Sequence, residues 1–422
     1  MSIREWPQQT CETYSASTEQ SRAGRTRVPE CRIVLRNCGI VDPASIESYR
    51  AHGGFQALRK AKQLTPDQVV QEVKRSGLRG RGGAGFPTGM KWELAARSPG
   101  EAHYVICNAD EGEVGTFKDR YILQNDPYGL FEGIAIACHA IGARTAYLYL
   151  RAEYHHLLGQ LLRALKETGD AELGCHIEVR EGAGAYVCGE ESALMESIEG
   201  KRGEARYRPP FPPNHGLWQE PTVINNVETL MNIVPIIQNG ADWYKTIGSG
   251  PCPGTKAFSV TGDVERPGVY EVPFGTALAE LVVDLAGAVN VKAVQVGGAS
   301  GRVVPAAKLD TPLTFETVLG AGAVVVLDAS RSMVELATQN VTFFAEESCG
   351  KCVPCREGNQ ILLHLLTTLQ QRSGKEQDID ALRELSEVMM ISCLCGLGQA
   401  APNSVVDTLE HFGDEYYSMV RR

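Results

Sequence analysis

The sequence predicts an α/β fold in which helices cover a mainly parallel sheet. Two observations support this: apolar, strand-like segments recur along the chain, and a helical pattern separates each of them from the next. The predicted strands are 104–107, 145–150 and 177–179, and the predicted helices that follow them are 127–141, 153–167 and 189–198. Such alternation is typical of parallel strands joined by crossover helices. Ligands on these sheets bind at the carboxyl ends of the strands.

Local signals mark the ends of the predicted helices. Thr65 and Gln68 match a capping box at the start of a helix that stops at Gly77. Asp126 is placed to cap the next long helix, and Gly142 is placed to close it. We therefore expect these two helices to begin and end at these residues.

Changes in composition divide the rest of the chain. Residues 1–30 are polar without a period and predict a frayed arm, whereas 209–213 and 251–253 are proline-rich. Short β segments around one helix at 277–286 predict a small α+β domain, and helical periodicity returns from residue 341. The predicted divisions are an N-terminal arm and helical lead-in at 1–62, a ligand-binding α/β domain at 63–248, an α+β domain at 254–335 and a helical domain at 336–422.

Bulk composition excludes several classes of protein. The net charge of -10 argues against a nucleic-acid binder, which would carry a basic excess. The chain contains no apolar stretch of about 18 residues, and its first residues contain no secretory signal. We therefore expect a cytoplasmic protein without direct membrane insertion. In that compartment the thirteen cysteines would be reduced, and would act as ligands rather than as disulfides.

A glycine-rich loop at 80–85 satisfies the G-x-G-x-x-G pattern. The pattern should follow a strand and open a helix in a standard dinucleotide fold, but here a helix precedes it, so a standard Rossmann site is rejected. The glycines still let backbone N–H groups approach a phosphate or a flat ring closely. Lys91 follows within reach of a phosphate. The alternative is a flexible connection between two helices.

Polar residues follow the first and third predicted strands. Asn108, Asp110 and Glu111 come after the first, and Glu190 and Glu191 come at a helix start after the third. Carboxylates repel phosphates, so these side chains suit hydroxyl and carboxamide groups better. For the two glutamates, favourable interaction with the helix dipole is an alternative explanation.

Aromatic and amide side chains supplement this polar set. Tyr186 and Phe86 are placed to stack on an aromatic ring system, and Asn225 and Asn226 offer paired amides that both donate and accept hydrogen bonds. An asparagine in a loop more often caps a turn than contacts a ligand, so the amides alone do not decide the question.

The cysteine spacing near the C-terminus is the most specific motif. Cys349, Cys352 and Cys355 form a C-x-x-C-x-x-C run, and Cys393 and Cys395 follow about forty residues later. This pattern suits a [4Fe–4S] cluster, whereas zinc sites more often use two separated C-x-x-C pairs or include histidine. Cys393 and Cys395 compete as the fourth ligand, and the glycine-bearing turn after Cys395 favours that residue.

Several long segments together closely resemble the NADH-binding flavoprotein subunit of respiratory complex I. The same subunit recurs in soluble NAD-dependent formate dehydrogenases and NAD-linked hydrogenases. The segments that carry the resemblance are GLRGRGGAGFPTGMKW at 77–92, CNADEGEVGTFKDR at 107–120, GAYVCGEESALMESIEGKRG at 184–203, PTVINNVET at 221–229 and SCGKCVPCREG at 348–358. Segments 32–43 and 395–403 are more similar to the soluble branch.

The resemblance implies three bound groups. It implies FMN, held by the glycine loop and the polar residues: Gly80, Arg81, Gly82, Gly83, Lys91, Asn108, Asp110, Glu111, Gly112, Tyr186, Gly189, Glu190, Asn225 and Asn226. It implies NAD(H) near Phe86, Glu113, Glu191, Arg208 and Phe211, and a [4Fe–4S] cluster on Cys349, Cys352, Cys355 and Cys395. Because hydride transfer needs no side-chain acid or base, no catalytic residue is expected. Relatives often have lysine at the position of Arg208, and the two side chains are not interchangeable.

The resemblance also implies an architecture and partners. The expected order is a non-standard Rossmann-like FMN and NADH domain, a ubiquitin-like β-grasp domain and a helical bundle with the cluster. Expected partners are a small thioredoxin-like [2Fe–2S] subunit and a larger iron–sulfur or catalytic subunit of hydrogenase or formate dehydrogenase type. Alternatives are an electron-bifurcating hydrogenase subunit, a respiratory complex I subunit, or a non-catalytic scaffold that holds structural zinc.

Overall fold

The computed structural model of the chain describes residues 30–421. Its first domain is built on a parallel sheet covered by helices, as the sequence predicts. This sheet has four strands, all parallel, in the order β3-β2-β1-β4. The strands are β1 Tyr104–Ala109, β2 Thr145–Leu150, β3 His176–Glu181 and β4 Thr222–Asn226. The frayed arm predicted at 1–30 lies, except for residue 30, outside the described residues.

The strand β4 is absent from the sequence prediction. Its residues carry the paired amides, which suggested a loop, but they hydrogen bond to β1 in parallel register, with Asn225 beside Cys107 and Asn226 beside Asn108. Although β4 is an edge strand, Thr222 to Asn225 are all buried, so no alternation of apolar and polar residues marks the strand in the sequence. This pairing brings the ends of β1 and β4 to the same edge of the sheet.

Within residues 30–421, ten α-helices surround this sheet, and the predicted ends of two of them, α3 and α6, are confirmed. They are α1 Ile46–Ala51, α2 Gln56–Gln63, α3 Pro66–Ser76, α4 Thr88–Arg97, α5 Lys118–Asn125, α6 Pro127–Ile141, α7 His155–Leu173, α8 Glu191–Ile198, α9 Val227–Asn239 and α10 Ala241–Lys245. Thr65 and Gln68 form the expected capping box, and Asp126 accepts a hydrogen bond from the N–H of Gly129. Gly77 and Gly142 adopt the left-handed conformation that ends a helix.

The second domain contains a hairpin and a five-stranded mixed sheet with the order β10-β9-β11-β7-β8. The strands are β5 Gly248–Ser249, β6 Cys252–Pro253, β7 Thr255–Gly262, β8 Gly268–Pro273, β9 Val291–Val296, β10 Arg302–Pro305 and β11 Ala323–Asp328. In this sheet β7 and β11 are parallel and the other pairs are antiparallel. The helix predicted at 277–286 is present as a π-helical segment, Glu280–Leu285.

The C-terminal part of the described chain is helical, as predicted. Its helices are α11 Met333–Glu347, α12 Val353–Gln370, α13 Glu376–Ser392, α14 Gly396–Ala400 and α15 Asn403–Met419. The buried carboxylate of Asp407 on α15 accepts hydrogen bonds from the Arg302 guanidinium and from the N–H of Val303 on β10. This contact joins the helical domain to the second sheet.

Two further observations bear on the predicted environment of the chain. Among residues 30–421, no helix combines the length and the apolar character that crossing a membrane requires. Cys31 is disulfide-bonded, so the prediction that the cysteines act as ligands rather than disulfides is wrong for this residue. The other described cysteines have free thiols.

A buried glutamate ties α2 to the core of the first domain. Glu132 on α6 is 1% exposed, and its carboxylate accepts hydrogen bonds from the N–H groups of Phe55 and Leu58, at 2.8 Å each, and from the Tyr49 hydroxyl. Both N–H groups lie at the start of α2, where no backbone partner exists. The carboxylate therefore acts as a cap supplied by a distant helix.

We expect the substitution Glu132→Ala to lower the free energy of unfolding by about 3 kcal/mol, because it leaves two buried N–H groups and a hydroxyl without an acceptor. Urea unfolding followed by tryptophan fluorescence measures this difference. The matched control is Glu265→Ala, because Glu265 is 66% exposed and its loss should change the free energy of unfolding by less than about 0.5 kcal/mol. Equal effects of the two substitutions would contradict the assignment.

Candidate functional site

The loops that follow β1 and β3 meet at the carboxyl edge of the parallel sheet. The Asn108 side chain, near the end of β1, donates from Nδ2 to the carbonyl oxygen of Gly189 at 2.9 Å. A β-carbon added to Gly189 would lie 3.4 Å from the carbonyl oxygen of Asp110, so the two segments are in close contact. The structure therefore brings together polar residues that the sequence separates by about eighty positions.

The glycine loop lies against the end of β4. A β-carbon added to Gly82 would lie 3.0 Å from the β-carbon of Asn226, and one added to Gly83 would approach the backbone of Gly320 and Ala321 at 3.7–3.8 Å. Both Gly82 and Gly83 are exposed. The loop thus forms a cradle that side chains would narrow, and its exposed backbone suits close approach by a flat ring or a phosphate.

Charged side chains from three segments converge beside this cradle. The Lys91 Nζ donates to the carbonyl oxygen of Ile224 at 3.0 Å and lies 3.5 Å from the Glu191 carboxylate. Arg208 donates from Nη1 to Glu191 at 2.9 Å. Lys91 also lies 6.0 Å from the ring centre of Phe86, which is 43% exposed. Lys91 and Arg208 thus both pair with the Glu191 carboxylate.

Glu190 has one carboxylate oxygen occupied and one without a hydrogen bond. Its Oε2 accepts from the N–H groups of Ser192 and Ala193 at 3.0 Å and so caps α8. Its Oε1 is buried and makes no hydrogen bond, although the Arg208 Nη2 lies 3.2 Å away outside hydrogen-bonding geometry. Because this oxygen has an ion-pair contact but no hydrogen bond, it fits a site that receives a donor from a ligand.

Two further carboxyl groups lie at this edge: Asp110 is half-buried and Glu113 is buried. Burial raises the pKa of Asp110 to about 7, and the nearby Arg151 opposes the shift. Burial also raises the pKa of Glu113, although hydrogen bonds from Ser300 and Tyr186 oppose it. The Tyr186 hydroxyl donates to Glu113 at 2.9 Å. Gly112 permits this pairing, because a β-carbon there would lie 2.9 Å from the Tyr186 ring.

Three residues in the predicted FMN set, Arg81, Glu111 and Asn225, have side chains that are buried and hydrogen-bonded within the protein. The Arg81 guanidinium is buried and donates to Tyr244, Pro253 and Thr255. Its backbone N–H donates to the Thr229 hydroxyl at 2.8 Å, so any contact of Arg81 with a ligand is restricted to its carbonyl oxygen. The Asn225 side chain is buried and accepts from the Trp92 indole at 2.8 Å.

Glu111 is the third of these residues. Its carboxylate accepts hydrogen bonds from the N–H groups of Asp119 and Arg120 at 2.8 and 2.9 Å and from the Tyr154 hydroxyl at 2.9 Å. It therefore satisfies the first turn of α5. Two other predicted residues are at least partly exposed. Phe211 is 52% exposed. Gly80 donates its N–H to the carbonyl oxygen of Phe86 at 2.9 Å, and this hydrogen bond closes the base of the glycine loop.

Four cysteines line one cavity in the helical domain. The cavity wall consists of Val187, Ala205, Ser348, Cys349, Lys351, Cys352, Cys355, Leu394, Cys395 and Leu397. Cys393 is not part of this wall, and a hydrogen bond from its thiol lowers the pKa of Cys355. Within residues 30–421, no three His, Cys, Asp or Glu side chains are gathered tightly enough to hold a single metal ion. A donor set of four thiols around a shared cavity fits a [4Fe–4S] cluster.

A segment of four residues connects the cysteine cavity to the edge of the sheet. The 3₁₀ turn Tyr186–Gly189 places Val187 on the cavity wall, while the carbonyl oxygen of Gly189 accepts the hydrogen bond from Asn108. The Tyr186 ring packs against Phe343 and Phe344 of α11, with ring centres 5.0 and 6.1 Å apart. The two candidate sites are therefore neighbours that share one short turn.

Two family models match the chain and together cover both sites. Residues 73–235 match the Nuo51 FMN-binding domain, and residues 335–419 match the NADH-ubiquinone oxidoreductase-F iron-sulfur binding region. An F-type subunit of the NADH-quinone oxidoreductase of Rhizobium meliloti is 43% identical over 92% of this chain and 97% of the relative. The chain belongs to the family of NADH-quinone oxidoreductase F subunits. It is an oxidoreductase subunit that acts on NADH, with FMN and a [4Fe–4S] cluster as cofactors.

Hydrogenase subunits belong to the same group of relatives. The HndC subunit of the NADP-reducing hydrogenase of Solidesulfovibrio fructosivorans is 43% identical over 94% of this chain and 85% of the relative. A crystal structure of an NAD⁺-reducing [NiFe]-hydrogenase in the air-oxidized state superimposes with a TM-score of 0.86 at 40% identity. That match covers 94% of this chain but 69% of the hydrogenase chain. The same fold is thus common to both kinds of enzyme.

Sequence reasoning missed several polar residues that the structure places at this site. Lys118, Asp119 and Glu228 form a buried ionic cluster that contacts Asn226, and Ser300 hydrogen bonds to Glu113. The first three lie inside the motifs that carry the family resemblance. They do not directly follow a predicted strand, however, so their positions in the sequence give no sign that they lie at the sheet edge. Ser300 lies in the second domain, and no local pattern indicates that it reaches the first.

We expect Gly82→Ala to reduce the FMN content of the purified protein several-fold, because the new methyl group would press on Asn226 and narrow the cradle. Flavin absorbance per polypeptide measures this loss. Gly159→Ala is the control, since Gly159 is an exposed residue of α7 whose added β-carbon meets only the end of Arg163 at 3.6 Å. Alanine favours a helix there and should leave the flavin content unchanged. Full flavin content in the Gly82 variant would refute the cradle.

Proposed function

We propose that the chain is the flavoprotein subunit of a cytoplasmic, multi-subunit NAD-linked oxidoreductase of hydrogenase or formate dehydrogenase type. The observation that supports this most directly is the short Tyr186–Gly189 turn between the nucleotide edge and the cysteine cavity. When bound, FMN would supply the chemistry that links the two-electron hydride transfer from NADH to the one-electron transfers of an iron–sulfur cluster. A chain with both sites side by side is suited to link the two kinds of transfer.

The FMN is proposed to lie over the glycine loop and along the carboxyl edge of the sheet. Gly82 and Gly83 would supply backbone N–H groups, since the N–H groups of Gly80 and Arg81 donate within the protein. Lys91 supplies a positive charge, and Glu190 supplies a carboxylate oxygen without a hydrogen bond. Asn108, Asp110, Tyr186, Gly189 and Asn226 complete the contacts, whereas Arg81, Glu111, Gly112 and Asn225 act through the backbone or by holding their neighbours. The protein contributes position and electrostatic environment, since hydride transfer itself needs no acid or base.

NADH is proposed to stack on the flavin between Phe86, Glu113, Glu191, Arg208 and Phe211. The exposure of both phenylalanines supports this assignment, because each offers an apolar face at the rim of the cradle. Arg208 neutralises Glu191 in the structure, and the two side chains would separate or turn to receive the hydroxyl and carboxamide groups of a nucleotide.

The domain divisions 1–62, 63–248, 254–335 and 336–422 are part of the proposal; the five-stranded sheet within 255–328 and the helices within 333–419 support the last two. A β-grasp assignment for the second domain is supported by its five-stranded mixed sheet, in which the first and last strands are parallel neighbours. The proposed partners are a small thioredoxin-like [2Fe–2S] subunit and a larger iron–sulfur or catalytic subunit. A subunit of an NADP-reducing hydrogenase and a subunit of an NADH-quinone oxidoreductase are both 43% identical to this chain. Sequence identity therefore does not decide between these enzymes. Co-purification from the native cell, with identification of the partner subunits, decides it.

We expect Cys352→Ser to abolish the [4Fe–4S] cluster and leave the bleaching of FMN by NADH intact, because the cavity lies beyond the turn that separates it from the nucleotide edge. Iron and sulfide analysis and the EPR signal of the reduced cluster measure the loss. Cys393→Ser is the control, since Cys393 is also a buried thiol of this domain but does not line the cavity. A full cluster in the Cys352 variant, or loss of the cluster in the Cys393 variant alone, would contradict the ligand assignment.

We expect Glu191→Ala to weaken NADH binding about tenfold, equivalent to about 1.4 kcal/mol, through the loss of a charged hydrogen-bond acceptor. The NADH dependence of flavin reduction in a stopped-flow instrument measures the change, and FMN content should stay at the wild-type level. Glu178→Ala, which removes a surface carboxylate of β3, serves as the control. Unchanged NADH dependence in the Glu191 variant would remove this residue from the proposed site.

A further inference from the structure

Four charged side chains are buried together beneath the glycine loop. The Lys118 Nζ lies 2.7 Å from Asp119 and 2.9 Å from Glu228, and the Lys256 Nζ lies 2.6 Å from the same oxygen of Glu228. All four side chains are at most 3% exposed. They come from α5, α9 and β7, so the cluster joins the first domain to the second. Buried charges of this kind persist only when each has partners.

This ionic cluster also determines how the amide of Asn226 is arranged. The Asn226 Oδ1 accepts from the N–H of Glu228 at 3.0 Å and from the Lys118 Nζ at 3.4 Å, and its Nδ2 donates to Asp119 at 2.6 Å. The reverse orientation of the amide would place NH₂ against an ammonium group and oxygen against a carboxylate. Lys118 and Asp119 therefore permit one orientation only.

The same contacts leave Asn226 with a single free hydrogen-bonding position. A carboxamide has two acceptor positions on its oxygen and two N–H donors. Both acceptor positions and one donor are used within the protein, so one N–H remains. The side chain lies against the glycine loop, with its β-carbon 3.0 Å from the position of a β-carbon on Gly82.

We propose that Lys118 and Asp119 are positioning residues that lock Asn226 as a hydrogen-bond donor, so that the loop site selects a ligand with an acceptor atom at this point. The inference rests on the proposed function, in which Asn226 contacts FMN, whose ring offers carbonyl oxygen and ring nitrogen acceptors. A donor at such an atom favours the more electron-rich, reduced flavin, so the lock should make the flavin easier to reduce.

The two lysines of the cluster are equally buried but differ in what they touch. Burial opposes the charge of Lys118, but Asp119 and Glu228 raise its pKa above the usual range, so it stays protonated. For Lys256, burial outweighs Glu228 and lowers the pKa to about 7. Lys256 contacts Glu228 and the carbonyl oxygens of Ala257 and Ala321, but none of its hydrogen bonds reaches Asn226. It is therefore a matched control that also removes a buried amine.

The test compares Lys118→Met, Lys256→Met, Asn226→Asp and the double variant Lys118→Met with Asn226→Asp, each in the full chain. Asn226→Asp retains the capping oxygen and replaces the amide nitrogen, which carries the free N–H and also donates to Asp119, with an acceptor oxygen. The measurements are the FMN dissociation constant, from recovery of flavin fluorescence, the midpoint potential of the bound flavin, and the thermal midpoint of unfolding.

We expect Lys118→Met to weaken FMN binding about tenfold and to make the flavin potential more negative, whereas Lys256→Met lowers the thermal midpoint and leaves the potential in place. The double variant should bind FMN no more weakly than Asn226→Asp alone, because the lysine acts through the amide. Equal shifts in potential for both lysine variants, or additive losses in the double variant, would overturn the inference, since a charge field or a merely structural contact predicts those results.

A second substitution covers the case in which Lys118→Met does not fold. Asp119→Asn keeps the shape of the side chain but removes the charge that enforces the amide orientation, and we expect weaker FMN binding and a more negative potential. Wild-type values in this variant would refute the proposal. Wild-type protein without FMN would instead overturn the proposed function itself, so the two failures are distinguishable.

Discussion

The parallel pairing of β1 with β2 and β4 is the constraint on which the site depends. It places the ends of β1 and β4 side by side at one edge, where Asn108 and Asn226 are register partners. The loop after β3 then returns to this edge and is held there by the hydrogen bond from Asn108 to Gly189. A shift of one residue in this register would turn the amides to the opposite face of the sheet.

Buried carboxylates hold the three units of the chain around this edge. Glu228 of the first domain forms ion pairs with Lys118 and with Lys256, and Lys256 belongs to the second domain. Asp407 of the helical domain forms an ion pair with Arg302 of the second domain. Glu271 of β8 accepts the N–H groups of Val34 and Leu35 and so attaches the N-terminal segment. Each carboxylate has several donors, which offsets the cost of burying its charge and makes the contacts directional.

The sequence predicts the role of a residue well when its partners are near neighbours in the chain, and poorly when its partners come from distant segments. The capping box of Thr65 and Gln68 and the strands β1 to β3 are local patterns, and the structure confirms them. The strand β4 carries no alternation, and the side chains of Arg81, Glu111 and Asn225 are engaged by residues from other segments. Local sequence contains no information about which of these polar groups finds a partner inside the protein.

The sequence by itself determined the chemistry that this chain carries: a glycine loop that admits close approach, acidic strand ends, and a cysteine run spaced for an iron–sulfur cluster. These are properties of neighbouring residues, so spacing along the chain is sufficient to recognise them. Only the tertiary structure decided that the turn Tyr186–Gly189 adjoins both the sheet edge and the cysteine cavity, and that Asn226 retains a single free donor. Both depend on contacts between segments about a hundred residues apart, which the packing of the core establishes.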